Sequence, residues 1–270
     1  MQFRIGYEFK YRFPQPTPCI VMLNVHHSRV SDLVQADNIL IRPATPVSGY
    51  RDLFGNWCNR MVAPAGEVTF TTDVTISDAG QPDPDAEGAP QVPVEHLPND
   101  AILFLLPSRF CESEQLLDLS WQLFSKEAPG GARVRAICNY VHNHIRFDYQ
   151  QARPSRTALE AHAERVGVCR DYAHLAIAFC RALNIPARYC TGYLSDVGTP
   201  PPLPAGDFAA WFEAYLDGRW ITFDPRNNEP RIGRFLIARG RDAADVAMVT
   251  TFGPNMLESF RVWTDELPAV

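Results

Sequence analysis

The chain has 270 residues, 46% of them hydrophobic and 21% charged, with a formal net charge of −6. That is ordinary globular composition with enough apolar mass for a sizeable core, and the acidic balance excludes a general polyanion binder, which needs clustered basic charge. No run of about 18 apolar residues is present to span a bilayer, and charges and aromatics break the opening stretch MQFRIGYEFKYRF where a signal peptide needs an apolar core. These features predict a cytoplasmic protein with neither nucleic-acid nor membrane partners.

Taken in chain order, the first elements are extended. In EVTFTTDVTI, residues 67–76, Val68, Phe70, Thr72, Val74 and Ile76 share one face, while Glu67, Thr69, Thr71, Asp73 and Thr75 share the other. Period-two alternation of this kind marks a half-buried antiparallel strand. Similar runs at 3–12, 18–26, 37–42 and 57–62, punctuated by Pro and Gly, predict an N-terminal β-sandwich domain over residues 1–76. Residues 77–100 then carry five prolines, six acids and few large apolar side chains, the composition of a solvated linker.

Beyond it the period changes, and residues 101–270 are expected to form the second domain. Val134, Ile137, Val141 and Ile145 recur at helical spacing. Thr157 followed by Glu160 has capping-box spacing and opens a short helix expected to stop near Gly167. From 169 to 183, Tyr172, Leu175, Ala176, Phe179, Cys180 and Leu183 predict a helix buried along one face, ended by Asn184 and Pro186. Strands are expected at 187–195, 208–217, 219–224, 244–251 and 257–263, which makes the fold α+β, with helices packed on an antiparallel sheet.

Seven cysteines form an odd set with no CxxC pair, which fits reduced thiols and predicts neither a disulfide framework nor a metal site. Cys138 and His142 stand at i, i+4, but two ligands without an acidic third do not make a zinc site. No cofactor is expected. Cys169 is singled out because it opens the buried helix, where the macrodipole and unpaired amides favour thiolate. A thiol nucleophile needs a base, and the base needs an orienting acceptor. Asp224, at the end of a strand and before Pro225, suits the acceptor. The base belongs on the neighbouring strand, at position 209, where the residue is Ala209.

GVCRDYAHLAIAFCRALNIPARYCTGY resembles the cysteine segment of the bacterial transglutaminase-like superfamily, and DFAAWFEAYLDGRWITFDP is similar to its histidine and aspartate segments. The resemblance covers essentially the whole chain, including the β-rich N-terminal domain. It implies a papain-like core and a cysteine peptidase, amidase or acyltransferase acting on peptide or isopeptide amides through a thioester. Cys169 then matches the nucleophile and Asp224 the orienting acid, while the triad histidine falls on Ala209. His174 is about 140° around the helix from Cys169, so no other histidine is expected to serve as base. Arg170, Asp171, Trp211 and Arg226 are expected to touch substrate, and the arginines suit a glutamyl or other acidic group. Because Cys169, Trp211, Trp220 and Asp224 all persist, the Ala209 substitution is expected to be an engineered His→Ala change giving an inactive variant. The alternative is a naturally non-catalytic peptide-binding module.

Overall fold

The computed structural model describes residues 1–200 and 206–268. The N-terminal part is built from strands β1 (Gln2–Phe13), β2 (Thr17–Val21), β3 (Leu40–Arg42), β4 (Ser48–Arg51), β5 (Trp57–Ala63) and β6 (Gly66–Ser77). Helices α1 (Asn99–Ile102), α2 (Leu117–Phe124) and α3 (Gly131–His144) follow. Strand β7 (Arg146–Phe147), helix α4 (Ala158–Glu164), strand β8 (Val166–Gly167) and helix α5 (Cys169–Ala182) come next. The chain ends with β9 (Ala187–Leu194), β10 (Ala209–Leu216), β11 (Arg219–Phe223), β12 (Arg234–Gly240), β13 (Val249–Thr251) and β14 (Met256–Leu267).

Two four-stranded sheets form the sandwich, in the orders β14-β1-β6-β3 and β13-β2-β5-β4. The alternation in β6 is as expected: Val68, Phe70, Thr72, Val74 and Ile76 are buried. Thr72 is tolerated inside because its hydroxyl donates to Asp37 Oδ1 at 2.9 Å. β1 lies antiparallel to β6 with Phe9 opposite Phe70, and contributes Phe3, Ile5, Tyr7 and Phe13 to the same interior. Each such side chain contributes about 1.5–3 kcal/mol on burial, so the sandwich rests on β1 and β6.

Strands β13 and β14, expected in the second domain, instead pair with β2 and β1. The period-two signal says that a segment is a strand but carries nothing about its partner, and here the partner is more than 200 residues away. The core sheet is β11-β10-β9-β12, antiparallel throughout. Its fourth member, β12, was not anticipated. Phe235, Leu236, Ile237 and Ala238 are all buried, so this strand shows no alternation, and its flanking arginines disguise it as a polar tail.

Helix α5 packs on that sheet on one side and on α2, α3 and α4 on the other. It is therefore buried on nearly every face from Asp171 to Ala182, not along one face as its apolar period suggested. Ala173, Ala176 and Ala178 allow close approach, and the polar positions are satisfied internally: Arg181 donates to the Ala187, Leu106 and Arg241 carbonyls. The Thr157 capping box is present, and α4 ends at Arg165 in the left-handed conformation (φ 55°), two residues before Gly167.

The proline-rich segment 77–100 is not a free connector. Asp83 accepts from the Arg231 amide and from Arg234, and Ala86 and Leu97 are buried. Its acids are anchors because the arginines of β12 and its approach need partners. No helix among the described residues is long and apolar enough to cross a membrane.

Candidate active site

Cys169 stands at the first residue of α5, held there by its neighbours. Asp171 Oδ2 accepts from the Val168 amide at 2.8 Å and from Arg156 Nη1 at 3.1 Å, tying the strand β8 exit to the helix start. Gly167 is required at this joint, since a Cβ there would lie 2.6 Å from the Asp171 Cβ. Of the seven cysteines Cys169 alone is partly exposed, and the other six are buried.

A cavity of about 690 Å³ opens over the thiol, lined by Cys169, Phe147, Tyr149, Asp207, Ala209, Ala210, Arg226 and Arg231 among others. The sheet brings position 209 to this place: Phe212 pairs with Phe223, which sets Trp211 level with Asp224 and leaves Ala209 two residues further along on the same face. Cys169 and Ala209 thus both line the cavity. None of the histidines lines it. His174 is fully buried, takes the Ala243 amide on Nε2 at 3.1 Å and stacks on Phe110, as its angle on the helix implied. His142 Nδ1 lies 3.2 Å and 3.1 Å from the Pro225 and Arg226 carbonyls and braces the turn after β11.

Asp224 is buried, and its acceptor positions are occupied. Oδ1 receives the Arg226 and Asn227 amides at 3.1 and 3.0 Å; Oδ2 receives Asn227 Nδ2 at 2.7 Å and Arg234 Nη2 at 3.1 Å. Four bonds fill the four lone-pair sites of a carboxylate. Arg234 in turn lies 4.8 Å over the Trp211 ring and binds Asp83 through Nε and Nη2 at 3.2 and 2.8 Å.

The thiol is not activated here. Burial, then Asp207, then Asp224 push the Cys169 thiol up to about 12, and the amides of Ala210 and Arg170 oppose this only in part. The helix terminus acts in the expected direction, but desolvation and two carboxylates outweigh it. An imidazolium at position 209 would reverse that sign, and Ala209 supplies none.

The other residues expected to touch substrate divide. Arg226 lines the cavity, with its guanidinium 4.6 Å over the Phe147 ring. Arg170 turns away to the Arg153 and Pro154 carbonyls, because the first turn of α5 directs it along the surface. Asp171 is buried under the helix start, and Trp211 is closed off by Arg234, Cys190 and Leu236. None of these three lines the cavity. Sequence reasoning missed Asp207 and Tyr149. Asp207 precedes β10, which begins at Ala209, so strand alternation carried no signal for it.

A family model described as the transglutaminase-like superfamily matches residues 118–225, which include Cys169, Ala209 and Asp224. A solved structure of a candidate cysteine protease from Cytophaga hutchinsonii is 31% identical and superposes with a TM-score of 0.85, covering 100% of this chain and 92% of that one. An uncharacterized protein of Mycobacterium leprae is 34% identical over 94 residues, which is 34% of this chain and 33% of that protein. One from Mycobacterium tuberculosis strain H37Rv is 39% identical over 93 residues, 30% of this chain and 29% of that protein. The chain spans about a third of the length of these curated relatives. With its sheet order, its helix-borne cysteine and these similarities, the chain belongs to the transglutaminase-like superfamily.

Proposed function

We propose that this protein is built for cysteine-dependent acyl transfer on peptide or isopeptide amides, with Cys169 as the reacting group and Ala209 occupying the place of its base. The observation that carries this reading is the shared cavity wall: a partly exposed thiol at a helix start, beside position 209. In the reaction the Cys169 sulfur attacks the amide carbonyl, the tetrahedral oxyanion collapses, the amine leaves with a proton, and water or an amine resolves the thioester. The Ala210 amide, directed at the sulfur, supports a role as oxyanion donor beside the amides of the α5 start. Without a base the chain binds the acyl segment and acylates slowly, so peptidase and amidase turnover is severely impaired.

A direct test uses an activated acyl donor that needs no help with its leaving group, such as a peptidyl p-nitrophenyl ester. Mass spectrometry should locate one acyl group on Cys169 and none on the six buried cysteines. Acylation elsewhere, or equal labelling of Cys169→Ser, removes the assignment.

One observation favours a second reading. The four acceptor sites of Asp224 are filled by Asn227, Arg234 and backbone amides, so an imidazole at position 209 would have to displace one of these bonds to be oriented by it. That is the arrangement of a settled non-catalytic site, and it supports a natural peptide-binding module over an engineered His→Ala variant. The genomic codon for residue 209 separates the two: histidine means engineering, alanine a natural pseudoenzyme.

A further inference from the structure

Asp207 lies in the cavity wall with Cys169 and Ala209. Its carboxylate accepts the Phe208 amide at 2.7 Å through Oδ1. Burial raises its proton affinity, the Phe208 amide and Tyr149 oppose that, and no cation contributes. The residues outside the described ones, PPLPA at 201–205 and AV at 269–270, carry no charged side chain. The arginines of the same wall are committed elsewhere. Arg231 Nη2 donates to the Ser195 carbonyl at 2.8 Å and to Thr199 Oγ1 at 2.6 Å, and Arg226 lies on Phe147 with Nη1 2.5 Å from Asn227 Oδ1. The charged groups acting on the sulfur are the carboxylates of Asp207 and, behind it, Asp224. Tyr149 and Tyr189 stand beside it as neutral phenols, and Arg170 on α5 itself is turned to backbone carbonyls. The cavity therefore presents the Asp207 carboxylate between Tyr149 and Phe208, with Phe147 already under Arg226 and with Asp265 and Asp196, the latter 3.9 Å from Arg231, on the same wall; a carboxylate between aromatic rings is the chemistry that holds guanidinium and ammonium groups.

We propose that Asp207 makes this cavity selective for a ligand bearing a cationic side chain, and that arrival of the cation releases Cys169 to its thiolate. The proposal rests on Cys169 being the reacting group. It departs from the acidic substrate that the arginine count suggested. The coupling is reciprocal: a cation against Asp207 cancels the charge that opposes thiolate, the thiol proton passes to solvent, and the thiolate then strengthens the hold on the cation. A chain without a histidine base would in this way react with the ligand that its own cavity has selected.

The test is the rate of Cys169 alkylation by neutral iodoacetamide between pH 7 and 10, where the rate follows the thiolate fraction and a displacement of the rate–pH line gives the change in midpoint; it reads one thiol because the other six are buried. It is run with N-butylguanidinium, with n-butylammonium and with butyrate at matched ionic strength. Each cation should lower the alkylation midpoint saturably by about one pH unit, a roughly tenfold rate increase at pH 9, and butyrate should not. Asp207→Asn should lower the midpoint by a similar amount without any ligand and abolish the response to both cations. Equal shifts with cations and butyrate, or an unshifted midpoint in Asp207→Asn, overturn the proposal. The probe comparison uses the unaltered protein and stands even if the variant does not fold. A shift with one cation only assigns the site to an arginine-like or a lysine-like group. Because alkylation is read and not turnover, failure here is distinct from failure of Cys169 to accept an acyl group.

Discussion

Replacing Asp83 with alanine tests whether the proline-rich segment is part of the site. Asp83 holds Arg234 through two contacts at 3.2 and 2.8 Å and takes the Arg231 amide at 3.1 Å, and Arg234 is only 7% exposed. Asp224 remains as a partner, so the guanidinium keeps one counter-charge and the full cost of an unpaired buried ion, about 3–5 kcal/mol, is not reached. What is lost is three charge-assisted bonds, two from Arg234 and one from the Arg231 amide, nominally about 1.5–3 kcal/mol each; discounted for the partial exposure of Asp83 and the partner Arg234 keeps, this gives a destabilisation of roughly 3 kcal/mol. Urea unfolding should show that decrease in the extrapolated free energy, and Asp83→Asn, which keeps an acceptor oxygen, should lose about half of it. Asp85→Ala, at an exposed position of the same segment, should change stability by less than about 0.5 kcal/mol. If Asp83→Ala and Asp85→Ala behave alike, segment 77–100 is a solvated connector after all and the Asp83–Arg234–Asp224 chain holds nothing.

The remaining expectations concern the site and its titration. Gly167→Ala forces its Cβ against Asp171 at 2.6 Å and should cost about 1–3 kcal/mol, read as a lowered thermal midpoint. The folded-state Cys169 thiol, pushed up to about 12 from 9.0, keeps its proton where the unfolded chain has lost it. Stability therefore falls as pH rises from about 9 toward 12, and Cys169→Ser should reduce the slope of that limb, to which the buried thiols such as Cys111 and Cys138 also contribute. His26 shows the opposite sign: burial, with Arg239 second, lowers it from 6.5 to about 3. The unfolded state then binds the extra proton, so stability present above pH 6.5 is lost as pH falls through that window, and His26→Asn should reduce the slope.

How much could be read in advance depends on whether each signal was local. The faces of β6, the Thr157 cap and the start of α5 at Cys169 are set by neighbours within four residues, and these were legible. The meeting of Cys169 with position 209 was expected from the resemblance of the two segments to the transglutaminase-like superfamily, because alternation fixes the faces of a strand and not what they meet. The partners of β13 and β14 were not legible, since a period of two is the same in either sheet. β12 was hidden because burial on both faces erases alternation. The anchoring role of Asp83 depends on Arg231 and Arg234, about 150 residues away, and no composition rule contains that. Asp207 was not legible because it lies before β10, outside the alternation, and joins the cavity wall only in the folded chain.

The most direct measurement is amide turnover by Ala209→His. A base returned to position 209 should pair with the Cys169 thiolate, lower the alkylation midpoint into the neutral range and raise hydrolysis of a peptide amide by several orders of magnitude, within the roughly millionfold span set by loss of a triad member. If the variant folds and neither the midpoint nor the turnover moves, Cys169 and position 209 are not the halves of one catalytic unit, and the assignment of this cavity as an acyl-transfer site fails.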